Sequence, residues 1–338
     1  LSTVEPTASF WDCPEFISCA VKGEVGHPPG NAFFNLTGRF FANFAGGDMT
    51  QVGLWINRMS ALFSASTILF LFWTITAMTR RLVCGYSDSM SVWQMVAIFA
   101  SGIVGALAYT WSDTFWFSAV EAEVYAFSSF MTALVFWLIL KWERSDAGVE
   151  ADRYILQISY IIGLSIGVHL LNLLCIPAIV LVYYFKQYRH ATAFKTVGAL
   201  LLSFVLVAVI LYGIIPGVTR VAGWVELLFV NVLGMPYNSG TAVFFLSVMA
   251  LLVFCLWNVS RGVWFRRFSA RLVGNIILCL LFILVGYSTF AHVMIRASAH
   301  LPMPENCPGA RAGWRHTAAV RSDLRLEPCE KLRRLGQD

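Results

Sequence analysis

The stretch Ser9-Phe10-Trp11-Asp12-Cys13-Pro14-Glu15-Phe16-Ile17, followed by Gly26-His27-Pro28-Pro29-Gly30, is where residue types first suit chemistry in this sequence. If 14–21 is helical, with Pro14 tolerated in its first turn, Asp12 stands at the helix start and Glu15 one turn in. The two carboxylates can then approach each other. Aromatic and apolar neighbours would desolvate them, raise their pKa and suit one to act as a general base. The same spacing also fits a plain helix start, with Asp12 capping and Glu15 as its capping-box partner, and spacing alone does not choose. His27 lies in a turn stiffened by two prolines and ended by a flexible glycine; it could be held toward a phosphate or simply occupy a tight turn.

Two further clusters stand out. Asp113, Glu121 and Glu123 border or enter an apolar block, and a single helix over 115–141 puts Glu123 roughly 12 Å along its axis. An ionised group at such depth costs about 2.5–3.5 kcal/mol, so it needs a cavity, a proton or a partner such as Arg58. On that helix Glu121 and Glu123 point roughly opposite ways, and at most one faces a given site. His169 and Asn172, at i and i+3, share a face and could bind a headgroup or pack one helix on another. No metal-ligand spacing such as C-x-x-C occurs, so the sequence carries no metal set and no cofactor signature. Cys175, Cys255 and Cys279 lie inside apolar blocks and read as buried thiols.

These groups need a scaffold, and composition says which kind. The chain is 58% hydrophobic and 13% charged, against about 25% charged in soluble domains. Its apolar blocks, near 52–78, 92–112, 115–141, 196–215, 241–258 and 272–294, are long enough to cross a bilayer, which takes about 20 residues. We therefore expect an all-α polytopic membrane protein and exclude a soluble enzyme. The net charge of +5 sits in short loops rather than along one face, which speaks for membrane orientation and against nucleic acid.

Segment 154–185 is too long for one ordinary span and carries Gly163, Gly167, His169, Asn172 and Pro177 at its middle. It reads as a hairpin of two short helices meeting at a polar bend, a break tolerated where it lines a cavity or packs in protein. The Lys and Arg positions agree. Arg80 and Arg81; Lys141, Arg144 and Arg153; Lys186, Arg189 and Lys195; and Arg261, Arg266, Arg267 and Arg271 fall on one side, the cytoplasmic one, only if this segment goes in and comes back. Residues 1–51, the 112–115 turn, the hairpin tip and a 216–240 loop are then external. We expect a membrane domain over 1–298 and a disordered or aberrant tail over 299–338, rich in Arg and Pro.

Four ordered motifs carry a resemblance: Glu5-Pro6-Thr7 through Cys13, the Gly26–Gly30 turn, Glu121-Ala122-Glu123-Val124-Tyr125, and Gly163 through Asn172. Over nearly all of 1–306 the chain resembles a bacterial membrane family, frequent in Bacteroidetes and long labelled a domain of unknown function. That family is related to the eukaryotic transmembrane O-mannosyltransferase that modifies plexin-type receptors. The resemblance implies a GT-C-like helix bundle with an external catalytic loop, and transfer of a hexose, mannose foremost, from a polyprenyl-phosphate carrier to Ser or Thr of extracytoplasmic proteins. By that analogy Asp12, with Glu15 beside it, is catalytic, and His27, Glu123, His169 and Asn172 bind substrate.

The resemblance also implies a multi-pass protein of the bacterial inner membrane with a periplasmic catalytic face, in contact with membrane lipids. It leads us to expect a transmembrane helix ahead of Glu5, missing from this sequence, and shows Asn31 where a small residue is usual. Residue patterns alone also fit a transporter, a lipid flippase or a non-catalytic membrane component; a transporter would need its acidic residues near the midplane with access from both sides.

Overall fold

The computed structural model describes residues 2–297 apart from 28, 29, 86, 88, 147, 189, 190 and 262–269. The tail expected over 299–338, the two turn prolines, and Arg189, Arg266 and Arg267 lie outside the described residues. All regular elements among those described are helical, and seven segments are long and apolar enough to cross a membrane. The protein is an all-α polytopic bundle.

Two short helices precede the spans: α1 (Cys13–Lys22), with a proline in its first turn, and α2 (Ala32–Ala42). They pack on the start of α3 (Val52–Cys84), where Phe16, Ala20, Phe34, Ile56, Met59 and Phe127 are buried together. Helix α4 (Val92–Thr110) starts with a complete capping box, Ser91 with Gln94, which satisfies two otherwise orphaned amides. The block expected as one span over 115–141 is two helices, α5 (Asp113–Val120) and α6 (Val124–Arg144), parted by an extended break at Glu121–Glu123. Glu123 therefore precedes the span rather than lying inside it, which removes the burial-depth argument made for it. The extended break lets the Glu121 side chain reach a partner outside α6, the Ser9 hydroxyl.

The hairpin expected over 154–185 is present. Its arms are α7 (Val149–Ile166) and α8 (Ile176–Gln187), joined through Gly167–His169 and a 3₁₀ turn over Leu170–Cys175. Lys186, near the end of α8, donates to the carbonyls of Trp142 (2.6 Å) and Ser145 (2.9 Å) just before α7 begins. The arms thus run in opposite directions.

Helix α7 crosses α12 (Ala270–Tyr287) at glycines. A Cβ on Gly163 would lie 2.3 Å from the Ile283 carbonyl oxygen, and one on Gly286 would lie 2.6 Å from both the Leu164 nitrogen and the Tyr160 oxygen. Small residues at such crossings let helix backbones touch, which is how helices associate where water supplies no drive between them.

The external loop expected over 216–240 is not a loop. Helix α9 (Ala193–Ala208) continues through a π-helical segment, Val209–Ile214, into α10 (Ile215–Leu227) and a second one, Leu228–Val232. Pro216 falls just past the first π-helical segment inside this continuous run, and such a local π adjustment lets a membrane helix tolerate a proline's missing amide. The chain then turns into α11 (Ser239–Ser260), whose first amides are capped from the neighbouring helix: Glu226 accepts from Asn238 (2.5 Å) and Thr241 (2.8 Å). A short α13 (Ala291–Ala297) follows α12.

Basic residues of several connections between spans gather at one end of the bundle. Arg81 pairs with Glu143 at 2.6 Å, Arg144 donates to the Ala77 carbonyl, and Arg271 pairs with Asp152 at 2.7 Å. These contacts join the end of α3, the end of α6 and the starts of α7 and α12. The acidic motifs lie where α3 and α6 begin and α7 ends, at the opposite end.

Candidate functional site

The loop before α1 is tied down by three anchors. Glu5 donates its amide to the Val120 carbonyl at 3.0 Å. Asn57, fully buried in α3, donates to the carbonyls of Glu5 (2.7 Å) and Thr7 (2.8 Å). The Ser9 hydroxyl donates to the Glu121 carboxylate in the break between α5 and α6. Sequence reasoning missed Asn57; the available signal was an amide side chain inside an otherwise apolar helix, which needs internal partners. Past these anchors Trp11 adopts φ 61°, a left-handed conformation that for a bulky residue is a genuine outlier and costs about 1–3 kcal/mol. Asp12 follows.

The two readings of Asp12 and Glu15 can now be told apart by geometry. Asp12 occupies the position before α1 but makes no side-chain cap bond, and its residue is exposed. Glu15 does not reach back to the helix start either. Its Oε1 accepts the His27 backbone amide at 2.6 Å, and both carboxylate oxygens lie 3.0 Å from His27 Nδ1. Gly26 makes this approach possible, since a Cβ there would sit 2.4 Å from Glu15 Oε1. On the far side of the prolines Gly30 donates to the His27 carbonyl at 2.8 Å. Asn31 starts α2 at φ 37°, a left-handed value that asparagine tolerates better than most side chains.

One ligand atom from each of Asp12, Glu15 and His27 lies within 4.8 Å of the others. The three could therefore hold a divalent cation, a set that their separation along the chain gave no reason to expect. Helix α1 and the turn at Gly26 bring them together.

Glu121 and Glu123 lie in an extended segment, where residues i and i+2 share a side. Both are buried. Glu121 serves the loop through Ser9. Glu123, just ahead of α6, has its pKa pushed up to about 7, by burial first and then by the charges of Asp12 and Glu121; the Val124 amide and His27 pull weakly the other way. Asp12, Glu15, His27, Glu121 and Glu123 thus form one cluster. Asp113 is exposed in the first turn of α5, and Arg58 lies over the Trp55 ring, 4.6 Å from its centre.

His169 stands one step from this cluster. Its ring centre is 5.2 Å from that of Tyr125, two residues past Glu123, and its Nδ1 accepts the Leu171 amide at 3.1 Å. Burial lowers its pKa, so the neutral ring with its proton on Nε2 is the form this bond favours. Asn172 is fully buried behind it, accepting from Thr132 at 3.2 Å and from the Cys175 thiol. A crevice of about 270 Å³ bordered by Trp73, Arg80, Met95 and Arg144 lies at the basic end, away from these groups. Its apolar walls suit a lipid chain better than chemistry.

Glu123 gives a pH-dependent stability with a definite sign. Its folded pKa, about 7, stands above the ordinary 4.5, so the folded state binds more protons between those values and stability falls as pH rises through that window. The loss is about 3 kcal/mol at most. We expect unfolding temperatures in detergent to drop from pH 5 to pH 7.5 for the native chain and to stay level for Glu123→Gln. Equal slopes for the two proteins would assign the titration to another group.

The sequence profile of the family described as the protein O-mannosyl-transferase TMEM260 N-terminal domain matches residues 12–192, just over half of the chain. Every candidate site residue from Asp12 to Asn172 falls within that stretch. Protein O-mannosyl-transferase tmem260 of Dictyostelium discoideum is 24% identical over 186 residues, covering 52% of this chain and 20% of that protein. The chain thus spans about a fifth of the length of the curated relative it matches. No solved structure matches it.

Proposed function

Because the chain belongs to the protein O-mannosyl-transferase TMEM260 N-terminal domain family, we propose that it carries the catalytic membrane part of a glycosyltransferase, with the acidic cluster as its active site. The observation that supports this most is Asp12: an exposed carboxylate with no capping duty, beside a Glu15–His27 pair and a buried Glu123. The donor is a polyprenyl-phosphate hexose, mannose foremost, and the acceptor is a Ser or Thr hydroxyl of an extracytoplasmic protein.

In the reaction Asp12 takes the hydroxyl proton as the acceptor oxygen attacks the anomeric carbon. The bond from that carbon to the phosphate oxygen breaks, and the carrier phosphate leaves with the electron pair. A single displacement inverts the anomeric configuration. Glu15 holds His27 toward the phosphate, Glu123 receives a sugar or acceptor hydroxyl, and His169 offers its Nε2 proton from the hairpin tip while Asn172 holds that tip from behind. With the basic ends of the spans in the cytoplasm, the site faces the periplasm of a bacterial inner membrane. A transporter would need these carboxylates open to both sides; the cluster lies at one end of the bundle.

The test is transfer in lipid nanodiscs from a labelled mannosyl polyprenyl phosphate to a Ser/Thr peptide, with the product anomer determined. We expect label on the peptide in the configuration opposite to that of the donor. Retained configuration would overturn the single displacement. Movement of the lipid-linked sugar between leaflets without transfer would replace the enzyme by a flippase.

A further inference from the structure

Phe10 and Trp11 are 84% and 89% exposed, and they immediately precede Asp12. In a membrane protein an exposed indole ordinarily marks the lipid interface, but the surroundings argue against a seat in the hydrocarbon here. Asp12, one Cα–Cα step of about 3.8 Å away, is itself exposed, and carrying a carboxylate into hydrocarbon is strongly unfavourable. Ser9, on the other flank, is bonded to Glu121. The segment is therefore kept out of hydrocarbon beside a polar cluster, and no protein group among the described residues covers its large apolar rings.

The backbone adds a second observation. Trp11 is held at φ 61° between a loop anchored by Asn57 and Glu121 and the rigid start of α1. Strain of this kind persists where the surroundings impose it, and its usual place is a ligand-binding site.

A hexopyranose has the two kinds of surface this arrangement lacks. Its hydroxyls suit the carboxylates and imidazole of Asp12, Glu15, His27 and Glu123, and its C–H face is flat and apolar. A sugar whose anomeric carbon is attacked by a hydroxyl bonded to Asp12 lies within one ring's width of that carboxylate, hence within reach of the neighbouring side chain. We infer that the Trp11 indole is the platform against which the donor hexose stacks, fixing the sugar over Asp12. The inference rests on the transferase reading and adds to it the residue that recognises the sugar.

The kinetic test uses the full chain in nanodiscs. Trp11→Ala should raise KM for the lipid-linked hexose about 10- to 100-fold, the range in which an aromatic stacking partner is lost elsewhere, with the acceptor KM unchanged. Trp11→Phe should recover most of the loss and Trp11→Leu, apolar but without a flat face, little of it. Native behaviour of Trp11→Leu, or a shift in the acceptor KM instead, would overturn the inference.

A second measurement does not depend on turnover. With 5-fluorotryptophan incorporated, the ¹⁹F resonance missing from Trp11→Phe identifies Trp11. A short-chain alkyl ester of mannose phosphate should move that resonance, and a spin label on the lipid headgroup tests the rival, an indole anchored at the lipid interface. This result supports the inference even in a preparation inactive in transfer; broadening by the spin label without a sugar-induced shift sinks it.

Discussion

Asp12→Asn should cut hexose transfer by about 10²- to 10⁴-fold while leaving the unfolding temperature in detergent unchanged. The range is what loss of a general base typically costs. Asparagine has nearly the same shape and can still accept a hydrogen bond, but it cannot take a proton. The structure explains why stability should not move. Asp12 is exposed and makes no cap bond to α1, and asparagine caps about as well as aspartate in any case. Near-normal transfer by the stable variant would remove Asp12 from the base role and turn attention to Glu15 and Glu123.

The largest loss of stability is expected at the crossing of α7 and α12. Gly163→Leu would drive a Cβ to within 2.3 Å of the Ile283 carbonyl oxygen and 2.9 Å of its Cα. Backbone cannot step aside as a flexible side chain can, so the helices must separate, and we expect about 3 kcal/mol of destabilisation, the upper part of the overpacking range. Gly286→Leu meets the same obstacle from the other helix, against the Leu164 amide and Tyr160 carbonyl. The consequence reaches the site as well. Just past the end of α7 stands Gly167, whose carbonyl accepts the Phe33 amide at 2.7 Å, so displacing α7 should also weaken the seat of α2 and lower transfer. An unchanged unfolding temperature for both variants would show that the helices are farther apart than the structure has them.

Apolar block lengths were enough to place most spans, because a bilayer demands about 20 apolar residues of each helix. The hairpin over 154–185 was legible for an added reason. Glycines, a histidine and a proline at its middle are poor choices for a straight span, and the loop charges required a return. A helix over 14–21 entered the sequence reading only as a condition; the structure has one over Cys13–Lys22, with Pro14 where a first turn accepts it.

Two boundaries misled for opposite physical reasons. Apolar composition continues from Phe115 to Leu140 through Glu121 and Glu123, and only a tertiary partner, Ser9 for Glu121, gives a reason for the break there. The apolar block near 196–215 suggested a span followed by a loop, yet α9 runs on into α10 through a π-helical segment, the kind of local adjustment that lets a membrane helix carry a proline such as Pro216.

The sequence by itself determined that the chain is a membrane helix bundle, which side its basic loops share, and which motifs hold ionisable groups worth testing. Hydrophobicity and charge are local properties, so they can be read without knowing what touches what. Tertiary structure alone decided that Glu15 serves His27 rather than the helix end, that Asn57 anchors the loop of Asp12, that Asp12, Glu15 and His27 lie within 4.8 Å, and that Trp11 is turned out under strain. Each of these depends on backbone direction across residues far apart in the chain. A hydrogen bond is made or lost over about an ångström, a distance that spacing along a sequence does not encode.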